Sequence, residues 1–492
     1  MSASSPDQIR RLAELIAREL AATSSAAVAP SPAGSSRAPQ PIRPAVSFSG
    51  LGGGVFSKLD DAVAAASAAF RGLDALGLEK RHAIIESMRE AMRQNARSLA
   101  ALAVEETGLG RAEDKVQKNL LVTNKTPGPE ELVPQANSGD HGLVLIEPAP
   151  FGVIGAITPV TNPSSTIICN SIGMVAAGNT VVFNPHPSAK RVSQETVRLL
   201  DAAIVGAGGP PNTVSCTAEP TVQSAGELMK HPRIRLLVVT GGGAVVAAAM
   251  NSGKRAISAG PGNPPAIVDE TADLEKAGRD VVFGHSFDNN VICTDEKEVI
   301  AVDSIADALK GAMKKAGAFE LPARDLPRLE NVIFEKGAGP RGHAVVNKKY
   351  IGKNASVILK ELGITAGPEV RTVLVEVPNE HPLVWTEQMM PVLPLTRVRN
   401  VNDAIDLAVA AEGANYHTAV MHSHDIAALS AMARRCNCSI FVKNGSNLAG
   451  LGYGGEGFTS FTIASPTGEG MTSPRSFSRW RRCTLVDHFR IV

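Results

Sequence analysis

Short apolar segments that alternate with helical segments constrain the fold of this chain more than any other feature. The predicted strands of the first such stretch are residues 152–157, 180–183 and 235–239, and its predicted helices lie near residues 163–177, 188–206 and 244–252. A second stretch runs from about residue 261 to 445, with strands at 266–268, 297–302, 372–376 and 438–442. Strands that alternate with helices predict a mostly parallel sheet covered by helices on both faces. The chain is therefore predicted to be an α/β protein.

The region before this alternation has a different character. The folded body is predicted to start near Phe48 and to open with two long helices between Leu59 and about Val104. Residues 143–147 are predicted to form a strand. A chain of 492 residues is too long for one small core, so we expect more than one domain.

Residues 1–21 are predicted to form an amphipathic helix. Apolar side chains recur at helical spacing from Ile9 to Leu20, and charged side chains cover the remaining surface. Residues 22–45 are rich in Ala, Ser and Pro, and such a segment buries too little apolar surface to be anything but a disordered linker. The tethered helix has two interpretations from the residues alone: it docks on a sister subunit or frays, or it binds a partner protein.

Composition and spacing exclude several classes of function. Lys and Arg together number 49 and Asp and Glu 48, so charge gives no argument for binding nucleic acid or a charged membrane. No apolar run approaches the ~18 residues needed to span a bilayer. The six cysteines have no disulfide-framework spacing and are interpreted as reduced intracellular thiols. Neither Cys436 and Cys438 nor His422 and His424 are expected to bind a metal.

A glycine-rich turn follows the predicted strand at 235–239. Thr240, Gly241 and Gly242 lead from this strand into an Ala-rich helix. Glycines at such a turn let the backbone approach a phosphate, and a helix N-terminus favours negative charge. Because glycine-rich strand-to-helix turns are common, the motif alone is weak evidence for dinucleotide binding.

Other motifs carry residue types that are capable of chemistry. They are residues 157–163 (ITPVTNP, with Asn162), residues 177–185 (AGNTVVFNP), residues 288–293 (DNNVIC, with Cys293) and residues 387–394 (EQMMPVLP, with Glu387). Taken singly, each has a structural interpretation. An isolated cysteine is usually a small buried hydrophobe, an asparagine between turn residues usually satisfies the backbone, and a lone glutamate is usually solvated.

In their order and spacing these motifs resemble the aldehyde dehydrogenase superfamily, over about residues 58 to 470. The resemblance implies Cys293 as the nucleophile that attacks the aldehyde carbonyl. It implies that the Asn162 amide and the Cys293 backbone N–H stabilise the resulting oxyanion, and that Glu387 binds the nicotinamide ribose. The other residues implied to bind a cofactor are Thr158, Pro159, Asn184, His186, Pro187, Thr240, Gly241, Gly242 and Pro391.

The resemblance also implies an architecture. It predicts an aldehyde dehydrogenase fold with a Rossmann-like NAD-binding domain, an α/β catalytic domain and a β-strand oligomerisation arm. The predicted NAD- and CoA-binding domain spans residues 46–260, with the strand at 140–150 in the arm. The catalytic domain spans residues 261–445, and residues 446–492 return to the cofactor domain and complete the arm.

The chain departs from the hydrolytic members of that family at two places. Ala259 stands where they carry the glutamate that activates water, and alanine cannot act as a general base. Loss of a general base costs ~10²–10⁴-fold, so we expect slow hydrolysis and a long-lived thioester on Cys293. The segment 184–187 (NPHP) stands where the family has a lysine that binds the adenosine ribose of the cofactor. This puts the family's usual cofactor contact at that point in question.

Both departures resemble the CoA-acylating branch found in bacterial microcompartments. Further matches are residues 126–128, 184–190, 288–290, 296–299 and 452–457. This resemblance implies NAD-dependent oxidation of a short aldehyde, propanal or ethanal, to its acyl-CoA through a Cys293 thioester. The alternatives are a non-acylating dehydrogenase that releases the free acid, and a non-catalytic scaffold that associates with the shell.

The same branch gives residues 1–21 a role. There an N-terminal helix and linker direct the enzyme to shell proteins, which favours the interpretation of residues 1–21 as an encapsulation peptide. The implied location is cytoplasmic, inside a microcompartment, where 1,2-propanediol-type metabolism would supply the aldehyde. A homo-oligomer, either dimer or tetramer, is also implied.

Overall fold

The computed structural model describes residues 52–492. The predicted helix at 1–21, the linker at 22–45 and the predicted start at Phe48 lie outside the described residues. The helices are α1 (Leu59–Asp74), α2 (Leu78–Thr107), α3 (Ala112–Lys125), α4 (Pro163–Ala176), α5 (Lys190–Gly206), α6 (Val222–Lys230), α7 (Gly243–Met250), α8 (Leu274–Ser286), α9 (Ala306–Lys315), α10 (Leu326–Ile333), α11 (Ala355–Glu361), α12 (Pro382–Trp385), α13 (Val401–Glu412) and α14 (Ile426–Cys436).

Twenty strands accompany these helices within residues 52–492. They are β1 (Val55–Phe56), β2 (Gln135–Gly139), β3 (Gly142–Pro150), β4 (Val153–Ile157), β5 (Thr180–Asn184), β6 (Val214–Thr217), β7 (Ile234–Thr240), β8 (Ala256–Ala259), β9 (Pro265–Val268), β10 (Glu298–Val302), β11 (Ala318–Glu320), β12 (Phe334–Lys336), β13 (Val345–Val346), β14 (Thr372–Glu376), β15 (Val392–Val398), β16 (Thr418–His422), β17 (Ile440–Lys443), β18 (Ile463–Ala464), β19 (Gly470–Met471) and β20 (Ser478–Val486).

The first sheet has six parallel strands in the order β1-β6-β5-β4-β7-β8. Every residue of β4 is buried, because helices cover both faces of the strand. The strand order reverses between β4 and β7, so the connections that leave these two strands diverge. Crevices at such switch points, at the carboxyl ends of parallel strands, are where α/β sheets bind ligands.

The second sheet has seven parallel strands in the order β11-β14-β15-β10-β9-β16-β17. Its strands lie between Pro265 and Lys443, whereas those of the first sheet lie between Val55 and Ala259. The α/β class with parallel sheets is therefore as predicted. The assignment of residues 46–260 and 261–445 to separate cofactor and catalytic domains stays a prediction.

A third, antiparallel sheet has the order β2-β3-β20. Strand β20 pairs with β3 along its whole length, from Ser478 opposite Pro150 to Val486 opposite Gly142. Most side chains of β20 are exposed, including Trp480 and Val486. The predicted strand near 140–150 is thus present.

Most of the helices and strands that the sequence patterns predicted begin and end within about two residues of the observed ones, although several observed elements were not predicted. The helix α3 was not predicted, because its buried face carries the polar side chains of Lys115, Lys118 and Asn119 beside Val122. The strand predicted at 438–442 begins at Ile440, because Asn437 ends α14 in a left-handed conformation with φ of 50°. Within residues 52–492, no helix combines the length and apolar character needed to cross a membrane.

Candidate active site

A cavity of about 720 Å³ opens where β4 and β7 end and where the chain approaches Cys293. It gathers residues that lie up to 306 positions apart in the sequence, from Ile157 to Ile463. The predicted site residues that line it are Thr158, Pro159, Asn162, Asn184, His186, Pro187, Thr240, Gly241, Gly242, Cys293 and Glu387. Apart from Pro391, the residues that sequence reasoning selected thus meet in one place.

Pro391 does not line this cavity. It is buried directly before β15, and its carbonyl accepts a hydrogen bond of 2.9 Å from the Val373 N–H. The residue therefore supports the junction between β14 and β15. That Pro391 binds a cofactor stays a prediction, which its position outside the cavity lining does not support.

The segment before Cys293 is a buried loop with unusual backbone geometry. Asp288, Asn289 and Asn290 are consecutive left-handed residues, with φ of 48°, 57° and 66°, and all three are buried. Asp and Asn tolerate this conformation better than other side chains that carry a Cβ. The motif DNN at 288–290 thus has a conformational reason, since it lets the chain turn tightly before the cysteine.

Buried polar contacts hold this loop in place. The Asn289 amide donates to the Gly352 carbonyl, and the Asn290 amide donates to the carbonyl of His285. Lys297, which is fully buried, donates from Nζ to the carbonyls of Asn290 and Ile292 at 3.0 and 3.1 Å. These contacts restrict the position of Cys293, which follows directly.

The surroundings of Cys293 favour the neutral thiol. Burial, together with the nearby Glu387 carboxylate, raises the pKa of Cys293 to about 12, although the Lys297 ammonium opposes the shift. Burial likewise raises the pKa of Glu387 above its usual range. The resting site therefore holds a thiol at neutral pH, and this thiol must lose its proton before its sulfur can act as a nucleophile.

Asn162 occupies the N-cap position of α4, where Pro163 is the first helical residue. An N-cap asparagine usually accepts a hydrogen bond from its own helix, but this side chain makes no such bond. Its Oδ1 instead accepts a hydrogen bond of 2.5 Å from Lys118 Nζ, and its Nδ2 lies 3.2 Å from Thr161 Oγ1. The side chain is thus directed toward the cavity and away from the helix.

A buried cluster of charges lies behind Asn162. The Asp288 carboxylate accepts hydrogen bonds from Lys115 Nζ at 2.8 Å, from Lys118 Nζ and from the Arg111 N–H at 2.7 Å. The three side chains of the cluster are no more than 3% exposed. Burial lowers the pKa of Lys115 to about 8, although Asp288 opposes the shift.

The opposite end of the cavity suits a dinucleotide. Gly241 and Gly242 connect β7 to the N-terminus of α7, and a Cβ at Gly242 would meet nothing within 4 Å. Thr158 Oγ1 is buried and has no hydrogen-bond partner within residues 52–492. Between α6 and α7 the wall is apolar, with Val222 and Val245 among its residues. Open backbone for phosphates, a free hydroxyl and an apolar wall fit an adenine nucleotide.

The segment around 184–187 contributes a neutral edge to the cavity. Burial lowers the pKa of His186, and its Nδ1 accepts a hydrogen bond from the Ser188 N–H. Asn184 Oδ1 already accepts hydrogen bonds from Thr217 and from Ser224. The edge therefore carries no ammonium or guanidinium group that could bind a ribose or a phosphate.

One carboxylate, that of Glu387, is found among the described residues that line the cavity. Ala259 is buried at the end of β8, and its carbonyl accepts a hydrogen bond from the Gly241 N–H. The adjacent lining residues, Gly260 and Pro261, have no ionisable side chain. The segment in which hydrolytic relatives carry a glutamate thus contributes no base here.

Sequence reasoning missed several residues near the site. Lys115, Lys118 and Lys297 escaped notice because charged residues on a helix or beside acids usually indicate a solvated surface. His417 lies close to Gly262 and Cys293, since a Cβ at Gly262 would be 3.0 Å from its ring and 2.9 Å from the Cys293 carbonyl oxygen. Burial lowers the pKa of His417 to about 4, so its ring is neutral.

The cysteines outside the cavity include buried and partly buried thiols. Cys169 and Cys216 are buried core residues. Within the described part of the chain, no group of three or more His, Cys, Asp or Glu side chains is arranged to hold a metal ion. Cys436 and Cys438 lie with their sulfur atoms 3.2 Å apart.

The chain is similar in sequence to a known protein family and to characterised enzymes. Residues 56–462 match the model of the aldehyde dehydrogenase family. The acetylating acetaldehyde dehydrogenase EutE of Escherichia coli is 52% identical over 440 residues, which cover 89% of this chain and 94% of that protein.

Two solved structures are also similar. A Rhodopseudomonas palustris propionaldehyde dehydrogenase with bound CoA and an acylated cysteine is 48% identical, with a TM-score of 0.86 over 89% of this chain and 99% of that one. A propionaldehyde dehydrogenase from the fucose utilisation microcompartment of Clostridium phytofermentans is 44% identical, with a TM-score of 0.86 over 89% and 100% of the two chains.

Proposed function

This chain belongs to the aldehyde dehydrogenase family, and we propose that it oxidises a short aldehyde with NAD and transfers the acyl group from Cys293 to coenzyme A. The predicted fold and the predicted similarity to the CoA-acylating branch are confirmed. The observation that carries the proposal is one cavity that holds Cys293, Asn162 and Glu387 and, among its described lining residues, no second carboxylate.

The first half of the reaction follows from the site residues. The Cys293 thiol gives its proton to solvent, and the resulting thiolate adds to the aldehyde carbon. The carbonyl oxygen becomes an oxyanion that the Asn162 amide and the Cys293 backbone N–H stabilise. Bound NAD supplies the acceptor for the hydride that leaves this carbon. Collapse of the oxyanion expels the hydride and leaves the acyl group as a thioester on the Cys293 sulfur.

The second half transfers the acyl group. The thiol of coenzyme A adds to the thioester carbonyl, and the same donors stabilise the oxyanion. The Cys293 sulfur leaves as a thiolate and takes up the proton that the coenzyme A thiol has lost, which restores the resting thiol. Transfer to water would need a general base beside the thioester, and Ala259 with its neighbours provides none. Glu387 is the remaining carboxylate, and we assign it to the nicotinamide ribose. An acceptor that is already nucleophilic is therefore favoured over water.

The glycine turn and the apolar wall are proposed to hold the nucleotides. Gly241 and Gly242 would approach the pyrophosphate, the Thr158 hydroxyl and Pro159 would contact the nicotinamide end, and Thr240 would support the turn from the end of β7. His186 and Pro187, on the neutral edge, would contact the adenosine part, where a standard lysine is lacking. Asn184 is proposed to shape this edge, because its side chain is already engaged by the fold.

Assembly and location complete the proposal. The exposed edge of β20, with Trp480 and Val486, is proposed to pair with a second copy in a homodimer or a dimer of dimers. Residues 1–21 are proposed to bind microcompartment shell proteins. Support comes from the similar enzyme of the C. phytofermentans microcompartment. A compartment of that kind would retain a volatile aldehyde.

The decisive experiment measures NADH formation from aldehyde with and without coenzyme A. We expect NADH and acyl-CoA when coenzyme A is present, slow turnover without it, and no activity in Cys293→Ser. Rapid release of free acid without coenzyme A would establish the non-acylating alternative. Comparison of kcat/KM for acetaldehyde, propanal and butanal assigns the chain length, and we propose propanal as the preferred substrate.

The scaffold alternative and the targeting segment have separate tests. A non-catalytic protein would show no aldehyde-dependent protection of Cys293 against alkylation, whereas the enzyme is protected by aldehyde with NAD. Deletion of residues 1–21 should leave the kinetics unchanged but abolish co-purification with shells. Unchanged co-purification of the shortened chain would overturn the targeting proposal.

A further inference from the structure

We propose that Lys118, held by Asp288, positions and polarises the Asn162 amide so that it becomes an effective oxyanion donor. The inference rests on the oxyanion role proposed above for Asn162. It concerns a residue that neither half of the reaction uses directly. Lys118 is a positioning residue, because its ammonium contacts the amide rather than the reacting atoms.

The contact fixes which amide atom faces the substrate. An ammonium group donates hydrogen bonds and cannot accept them, so the amide atom 2.5 Å from Lys118 Nζ must be oxygen. The Asn162 Nδ2 group is then directed to the other side, toward Thr161 and the cavity that both residues line. Without the lysine, the amide could rotate and present its oxygen to the oxyanion, which would be repulsive.

The same contact strengthens the donor. The positive charge of Lys118 Nζ beside the amide oxygen draws electron density from the amide nitrogen, so the Nδ2 protons become better donors to a developing oxyanion. Lys118 is 2% exposed, so water screens this charge little. An oxyanion donor that is already oriented and polarised needs no reorganisation during the reaction.

Asp288 links the donor to the nucleophile. Its carboxylate binds Lys118 directly, and it belongs to the left-handed loop that leads to Cys293 five residues later. The oxyanion donor on α4 and the nucleophile loop are therefore tied through one buried pair. This link explains why α3, which has no side chain lining the cavity, directs two lysines into the interior.

The chain offers a matched control for the test. Lys115 and Lys118 both bind Asp288 and are both buried in α3, but only Lys118 contacts Asn162. Replacing either lysine with Met removes one ammonium from the same carboxylate and leaves the other in place. A general effect of disturbing the cluster should therefore be similar in the two variants.

The experiment measures kcat, KM for NAD and the thermal midpoint of the full chain in Lys118→Met, Lys115→Met, Lys118→Arg and Asn162→Ala, and in the Lys118→Met, Asn162→Ala double variant. Loss of an oxyanion donor lowers kcat by about 10²–10³-fold, so we expect that loss in Asn162→Ala. Lys118→Met should lose about 10–100-fold in kcat at unchanged KM for NAD. Lys115→Met should lose less, and Lys118→Arg should recover part of the activity.

The double variant distinguishes a positioning role of Lys118 from a general effect of its replacement on the structure. If Lys118 acts through Asn162, Lys118→Met causes no further loss in the Asn162→Ala background. An equal further loss there, or equal kcat in the two Met variants, would overturn the inference while leaving the proposed function intact. Wild-type kcat in Asn162→Ala would instead refute the oxyanion role itself.

Discussion

Asp288→Asn tests whether one carboxylate balances the two buried lysines. Asparagine has almost the same volume and tolerates φ of 48°, so the change removes charge without a backbone conflict. Asp288 is fully buried and Lys115 and Lys118 are 3% and 2% exposed. Removing one partner of a buried ion pair costs about 3–5 kcal/mol, and we expect a free energy of unfolding lower by about that amount at pH 7.

The destabilisation caused by Asp288→Asn should become smaller as the pH rises. Burial lowers the pKa of Lys115 to about 8 in the native protein, and Asp288 opposes that shift, so loss of Asp288 should lower this pKa further. Between the two pKa values the folded variant binds fewer protons than the folded wild type, so its stability rises more steeply with pH. Since one pKa unit corresponds to about 1.4 kcal/mol, the deficit should shrink toward pH 9 by about that amount for each unit by which the pKa falls.

Urea unfolding followed by circular dichroism at pH 7 and pH 9 measures both quantities. Asp303→Asn is the matched control, because Asp303 is 68% exposed and pairs with Arg397 at the surface. Such exposed pairs contribute about 0–1 kcal/mol. Equal destabilisation of the two variants, or a deficit that grows toward pH 9, would refute the reasoning.

Three further changes test other parts of the site. Glu387→Gln should lower the pKa of Cys293, because the Glu387 carboxylate raises it. Iodoacetamide should then alkylate the Cys293 thiol faster at pH 8, and an unchanged dependence of the alkylation rate on pH would contradict this. Gly352→Ala should lower the thermal midpoint and kcat, because φ is 64° and the new Cβ would lie 2.9 Å from Cγ1 of Val291, two residues before Cys293. Gly363→Ala controls for backbone strain alone, because φ is 77° there and the new Cβ would meet no atom within 4 Å. Thr158→Val should raise KM for NAD several-fold and leave the thermal midpoint unchanged, since its hydroxyl has no protein partner within the described chain; a lower midpoint with unchanged KM would place its role in folding.

The local motifs could be predicted to carry the chemistry because each lies where an element ends. Asn162 follows β4 and Gly242 follows β7, and the carboxyl ends of parallel strands meet at one edge of a sheet. The order of such segments along the chain is therefore enough to predict that they converge. The same reasoning did not locate Pro391 relative to the cavity, because the chain turns away between Glu387 and the start of β15 at Val392.

The sequence by itself determined the α/β class, because that class depends on local periodicity. Its ordered motifs also predicted Cys293 as the nucleophile and the lack of a base at Ala259, through their resemblance to a known family. Only the tertiary structure decided that Lys118 points inward. Its partner Asp288 lies 170 residues away, and a lysine near other charges indicates a solvated helix face unless its environment is known. No local sequence pattern shows that a charged side chain is buried. The tertiary structure shows that Lys118 is buried and that it contacts Asn162.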